Sequence, residues 1–128
     1  MNSAAFLAVG IGAVLGAYAR WGLGVWLNRV TPHVPLGTLV ANAIGGYVVG
    51  LAVAWFAQHP DASPEMRLFL ITGFLGALTT FSTFSAEAVN LYMRAEYLWA
   101  SVHIALHLCI SLLLTVAGIT TVNVLIRN

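Results

Sequence analysis

Three groups of residues in this chain have types and spacings suited to chemistry. The first is the run Gly73-Phe74-Leu75-Gly76-Ala77-Leu78-Thr79-Thr80-Phe81-Ser82-Thr83-Phe84-Ser85, which carries no charge and has hydroxyls at five of its last seven positions. It is apolar enough for a bilayer, yet its density of polar groups suits a helix that breaks at membrane depth. Such a break is tolerated only where the freed backbone faces protein or a wet cavity. Phe81 and Phe84 stand three residues apart within it and point the same way from a helix. Ring edges are weakly positive and can favour an anion without a fixed charge; core packing is the alternative for such a pair.

The second group is His103, His107, Ser111 and Thr115, each four residues after the last. On a helix they form one polar stripe, and polar groups inside a span face the bundle interior or water. Interhelical hydrogen bonding is the plainer reading. His103 and His107 could share a metal ion, but no third ligand of the right type has an obvious place beside them, so zinc is not expected. The third group lies on one face of a second apolar run: Asn42, with Thr38 one turn before it. The amide of Asn42 can donate two hydrogen bonds to an anion or act as glue between helices. Glu87 and Arg20 are charges within or at the end of apolar runs, which makes them functional candidates unless they only anchor the interface. Together the three groups suit a pathway for a small polar solute or ion. No nucleophilic triad or nucleotide-binding loop is recognisable.

The elements that must position these residues are membrane helices. The chain has 128 residues, 60% hydrophobic and only 7% charged, against roughly 25% charged in a soluble domain. Its net charge of +1 excludes the basic face that nucleic acid needs. Cys109 is the single cysteine and cannot form an intrachain disulfide. Residues 1–19 hold no basic residue, so the first apolar segment lacks the n-region of a signal peptide. Four spans are predicted, at about 3–27, 36–57, 68–92 and 97–126, in an all-α membrane protein with one domain over residues 1–128. The short polar joints make neighbouring spans antiparallel. Gly12-x-x-x-Gly16 and Gly46-x-x-x-Gly50 let helix backbones approach closely. Arg67 and Arg127 fall on one side and Arg29 and Arg94, with Arg20 if it snorkels, on the other. That balance gives no topological bias, and it suits either a weak signal or insertion in both orientations.

These residues together resemble the Fluc (CrcB) family of fluoride channels, over nearly the whole chain. The resemblance is carried by Gly16-Ala17-Tyr18-Ala19-Arg20-Trp21, by Gly37-Thr38-Leu39-Val40-Ala41-Asn42-Ala43-Ile44-Gly45 and, most specifically, by Thr79-Thr80-Phe81-Ser82-Thr83-Phe84-Ser85-Ala86-Glu87. It implies a dual-topology homodimer of antiparallel subunits in the bacterial inner membrane, with two pores that export fluoride passively. It implies that Asn42, Phe81 and Phe84 contact fluoride, and that Thr38, Ser82, Thr83, Glu87, His103, His107, Ser111 and Thr115 line the pore. It implies a third span broken near its middle, with the carbonyls of Gly76 and Thr79 on one central structural sodium ion. Two departures are visible. Ala77 stands where the family often has a second glycine, and His103 and His107 stand where other members often carry Asn, Tyr or Ser. Histidine there could add pH sensitivity. Two other classes compete: a small proton-coupled multidrug exporter, which needs a carboxylate deep in the first span that this chain lacks, and a non-conducting assembly subunit. An enzyme is not expected.

Overall fold

The chain forms helices and turns only, in a computed structural model that describes residues 2–127. The two ends of the expected 1–128 domain lie outside the described residues. Helix α1 (Ser3–Leu27) starts where the Asn2 side chain accepts the amide of Ala5 at 2.8 Å, a side-chain N-cap. Helix α2 (Leu36–Gln58) follows a turn held by the Asn28 carbonyl oxygen Oδ1, which accepts the amide of Gly37 at 2.8 Å. A side chain at Gly37 would run into the backbone of Gly24, at 2.6 Å from its Cα, so the first two helices meet here backbone to backbone.

The third span begins at Pro64, four residues before the expected start at 68. The signal for this lies in Ser63 and Pro64. The Ser63 hydroxyl accepts the amide of Met66 at 3.1 Å, and proline is suited to the first helical position. Helix α3 (Pro64–Arg67) then widens into a π-helix over Leu68–Leu75, and α4 (Gly76–Leu78) returns to α geometry. Thr79 and Thr80 are extended, at φ −85°, ψ 153° and φ −153°, ψ 119°. Helix α5 (Phe81–Met93) restarts with the Thr80 hydroxyl accepting the amide of Thr83 at 3.0 Å. It ends in a left-handed Ala95, φ 59°, with Ala95 N donating to Tyr92 O and Glu96 N to Leu91 O, the paired bonds of a Schellman stop. Helix α6 (Tyr97–Arg127) is a single uninterrupted 31-residue span.

All four spans are long and apolar enough to cross a membrane. The small residues decide how they pack. A methyl on Gly12 or Gly16 would strike the backbone of Phe69 or Phe74 in the third span. A methyl on Gly50 would strike the carbonyl of Thr115 and lie 3.1 Å from the Cα of Gly118 in α6. The two glycine motifs thus serve two different neighbours: α1 lies on the third span and α2 on α6. Ala41, Ala52, Phe56, Leu75 and Leu78 form the buried core between α2 and the third span.

Candidate functional site

The interruption at Thr79 and Thr80 is where the site is built. In a continuous helix the carbonyls of Gly76, Ala77 and Thr79 would accept the amides four residues on. Here those amides go elsewhere or are displaced. Thr80 N donates to Asn42 Oδ1 at 2.7 Å and Thr83 N to the Thr80 hydroxyl at 3.0 Å. The carbonyl of Ala77 instead accepts Arg20 Nε from α1 at 2.9 Å. Thr79 closes α4, giving its amide and its hydroxyl to Leu75 O at 3.0 and 2.8 Å.

Asn42 is the link to the remaining helices. Its Nδ2 donates to Thr80 O at 3.1 Å while its Oδ1 accepts Thr80 N, so both faces of the amide are fixed by one residue. The second hydrogen on Nδ2 points to His107 Nδ1, 3.1 Å away on α6. His107 Nδ1 must therefore accept, and its proton sits on Nε2.

Around this link lie the aromatic and ionisable groups. Phe84 is buried, its ring 5.4 Å from that of His103 in a stack and 4.8 Å from that of His107. Phe81 stands 5.4 Å from Phe84, centroid to centroid, but is 75% exposed. The two rings touch, yet one is core and the other forms outer surface. On the far side of Phe84, Glu87 Oε1 accepts the Thr38 hydroxyl at 2.6 Å. Its other oxygen is 3.5 Å from His103 Nε2 without a hydrogen bond between them, and that nitrogen donates to Phe84 O at 3.3 Å. Glu87 Oε2, His103 Nδ1 and His107 Nε2 are buried without a protein partner, each at a cost of about 1–3 kcal/mol.

Two concavities flank this cluster. One of about 390 Å³ is lined by Asn42, Thr79, Thr80, Phe81, Phe84, His107 and Ser111, among others. The other, about 470 Å³, is lined by Arg20, Asn28, Thr38, Thr83 and Glu87 with neighbouring apolar residues. His107 faces the first, Glu87 the second, and the fully buried His103 lines neither. Gly76 also borders the first. Other hydroxyls of the stripe and run are engaged locally. Thr115 Oγ1 donates to Gly46 O at 3.1 Å or Ser111 O at 2.8 Å, and Ser82 Oγ lies 3.3 Å from Thr80 Oγ1. Thr115 and Ser82 border neither concavity.

The family model described as CrcB-like protein, Camphor Resistance (CrcB), matches residues 7–119. The chain belongs to that family. A Pseudomonas putida (strain W619) protein named fluoride-specific ion channel FluC is 60% identical over 115 residues, covering 90% of this chain and 91% of its own. Proteins of the same name from Thiobacillus denitrificans and Nitrosomonas europaea are each 59% identical, covering 89% and 91% of this chain and 92% of their own. In this CrcB-like chain, which is a multi-pass membrane protein, Glu87 and Arg20 are both open between anchor and function on sequence alone; Glu87 is bound to Thr38 beside the cluster, and Arg20 also reaches the site. Its partner is a carbonyl freed by the helix interruption, and the hydroxyl-rich run gave the only signal for that.

Proposed function

We propose that the chain is a fluoride-selective channel that lets fluoride leave the cytoplasm passively across the bacterial inner membrane. The observation that carries this is the identity of about 60% with proteins named as fluoride-specific channels, over nine-tenths of both chains. Fluoride is small and strongly hydrated, so a dry apolar passage excludes it and donors must replace its water. His107 Nε2 and the Ser111 and Thr83 hydroxyls border the two concavities or the cluster between them, and Asn42 and Thr38 would join them by exchanging their bonds to Thr80, His107 and Glu87 for the ion. No Lys or Arg belongs to that cluster, and Arg20, which borders the second concavity, is tied to Ala77 O. A site of hydrogen-bond donors and ring edges holds an anion weakly enough to release it. Phe84 and the exposed Phe81 supply those edges.

The assembly in this reading is an antiparallel dual-topology homodimer with two pores. Both concavities are open on one chain, and Phe81 is 75% exposed beside the first, so a second copy is needed to close a passage. The balanced arginines support insertion both ways. A structural sodium ion fits the donor set: the amides that would occupy the carbonyls of Gly76 and Thr79 are both committed to side chains. Carbonyl oxygens are hard ligands suited to a hard cation. Gly76 and Thr79 would hold it, and its charge would stabilise the carbonyl ends that the break leaves unpaired.

The test is fluoride efflux from liposomes containing the purified protein, with chloride as the control ion. Rapid fluoride efflux without chloride efflux is expected. Equal passage of both ions, or of neither, overturns the reading. A tag at the C terminus accessible from one side of the membrane only overturns dual topology.

A further inference from the structure

Glu87, His103 and His107 bring one ligand atom each to within 4.8 Å of one another. His103 and His107 are almost completely buried, and among the described residues these three carry the buried side-chain atoms that have no protein hydrogen-bond partner: Glu87 Oε2, His103 Nδ1 and His107 Nε2. We infer that these residues form a binding site for a divalent transition-metal ion of the zinc class.

The donor set is two imidazoles and one carboxylate, the set that zinc takes with a fourth position left open. The two histidines are spaced i, i+4 on α6, and the third ligand comes from α5 across the helix interface. Zinc holds its ligand atoms about 3.3 Å apart, given bonds of roughly 2.0–2.2 Å in a tetrahedron. His103 Nε2 and Glu87 Oε2 already stand at 3.5 Å; for Nε2 to bind the ion, His103 gives up its bond to Phe84 O and its proton passes to Nδ1, which has no partner. Neutral imidazole is the form that binds metal.

The bond arrangement around His107 makes metal uptake consequential. Its Nδ1 accepts from Asn42, so its proton is on Nε2. Coordination through Nε2 moves that proton to Nδ1 and ends the contact with Asn42. The charge changes as well: two neutral imidazoles, one carboxylate and a divalent ion sum to one net positive charge between the two concavities. On the channel reading of this site, on which this consequence rests, a fixed positive charge there holds an anion too tightly to pass it on. Zinc therefore obstructs fluoride flow, and the site is a metal-sensitive brake.

The experiment uses the purified full-length protein, freed of metal by chelator and dialysed against zinc. One ion per chain is expected. Substituting Co²⁺ should give the visible ligand-field bands of a tetrahedral nitrogen–oxygen site. Each of His103→Asn, His107→Asn and Glu87→Gln should weaken zinc affinity by more than about 100-fold, the upper end of what losing a mere supporting contact costs a metal site. His33→Asn and His59→Asn, which lie outside the cluster, should leave it unchanged. If one cluster variant does not fold, the other two carry the comparison. No uptake, or uptake that survives all three cluster changes, overturns the site. Added zinc should lower fluoride efflux and chelator should restore it; efflux indifferent to bound zinc overturns the brake. Zinc uptake by a protein that passes no fluoride leaves the metal site standing and sinks the channel reading, whereas fluoride efflux without zinc uptake does the reverse.

Discussion

Arg20 on α1 donates from Nε to the main-chain oxygen of Ala77, 2.9 Å away and 57 positions along the chain. The contact caps the last turn of α4 with a positive charge, which suits the negative end of a helix. Replacing Arg20 by Gln should lower stability by the lower end of the roughly 1.5–3 kcal/mol given by a hydrogen bond to a charged group. Thermal unfolding in detergent reads the loss, and Arg20→Lys should recover only part of it. An unchanged midpoint in Arg20→Gln would mean that the arginine is an interfacial anchor.

Asn42 makes three bonds, and two substitutions separate them. Asn42→Asp keeps an acceptor for Thr80 N but loses both donations and places a negative charge before an anion. It should abolish fluoride efflux with helix content intact. Asn42→Leu leaves the Thr80 amide unpaired as well, and should cost about 1–3 kcal/mol further. Circular dichroism with heating, beside the efflux assay, distinguishes the two.

Phe81 and Phe84 touch but differ in burial, so the same change should act differently. Phe84→Ile removes a ring that stacks on His103 and lies tilted against His107, and should lower stability by about 1–3 kcal/mol, as a large-to-small core change does. Phe81→Ile, on exposed surface, should stay within about 0.5 kcal/mol in the single chain. Both should cut fluoride efflux sharply. Parent-like efflux in both variants would show that neither ring meets the ion.

Glycine spacing makes a steric prediction. Gly50→Leu and Gly118→Leu should prevent α2 and α6 from closing, because even a methyl at either site meets backbone of the other helix. Gly10→Leu should be tolerated, since nothing lies within 4 Å of the added carbon. Expression and monodispersity in detergent report the difference.

Acid should loosen one end of the molecule. Glu96 is held below the ordinary carboxylate value of 4.5 by hydrogen bonds from Arg94 and then from His33, with burial opposing. Its Oε2 lies 2.9 Å from His33 Nδ1, and the His33 ring stacks on Trp99 at 4.6 Å. A carboxylate with a depressed folded-state pKa adds stability that is present above about pH 4.5 and is lost as pH falls through the lowered value. Glu96→Gln should therefore flatten the acid limb of a plot of melting temperature against pH.

Much of this was legible because membrane spans announce themselves by length and lack of charge. The ends of α1 and the start of α2 fall where composition put them, at Ser3, Leu27 and Leu36. The π-helix over Leu68–Leu75 was not legible, since an apolar run reads the same in either helical form. Nor was the meeting of Glu87 with Thr38 and His103. Periodicity says which residues share a face on one helix, but not which turn of α5 lies opposite which turn of α6. That register is set by the glycine contacts of α2 on α6 and by the tie from Asn42 to Thr80, neither of which a single-helix pattern contains.

The π-helix also bears on what kinds of inherited change this protein can absorb. A π segment is an α-helix that has taken in extra residues. Losing one codon between Leu68 and Leu75 would let that stretch relax locally toward ordinary α geometry. Because a π turn holds about one residue more than an α turn, the flanking turns would stay near their present register, and Thr80 would still reach Asn42. The same loss from α6, which has no such surplus, would turn everything after it by about 100°. The third span can thus absorb a single in-frame deletion between Leu68 and Leu75, and α6 cannot.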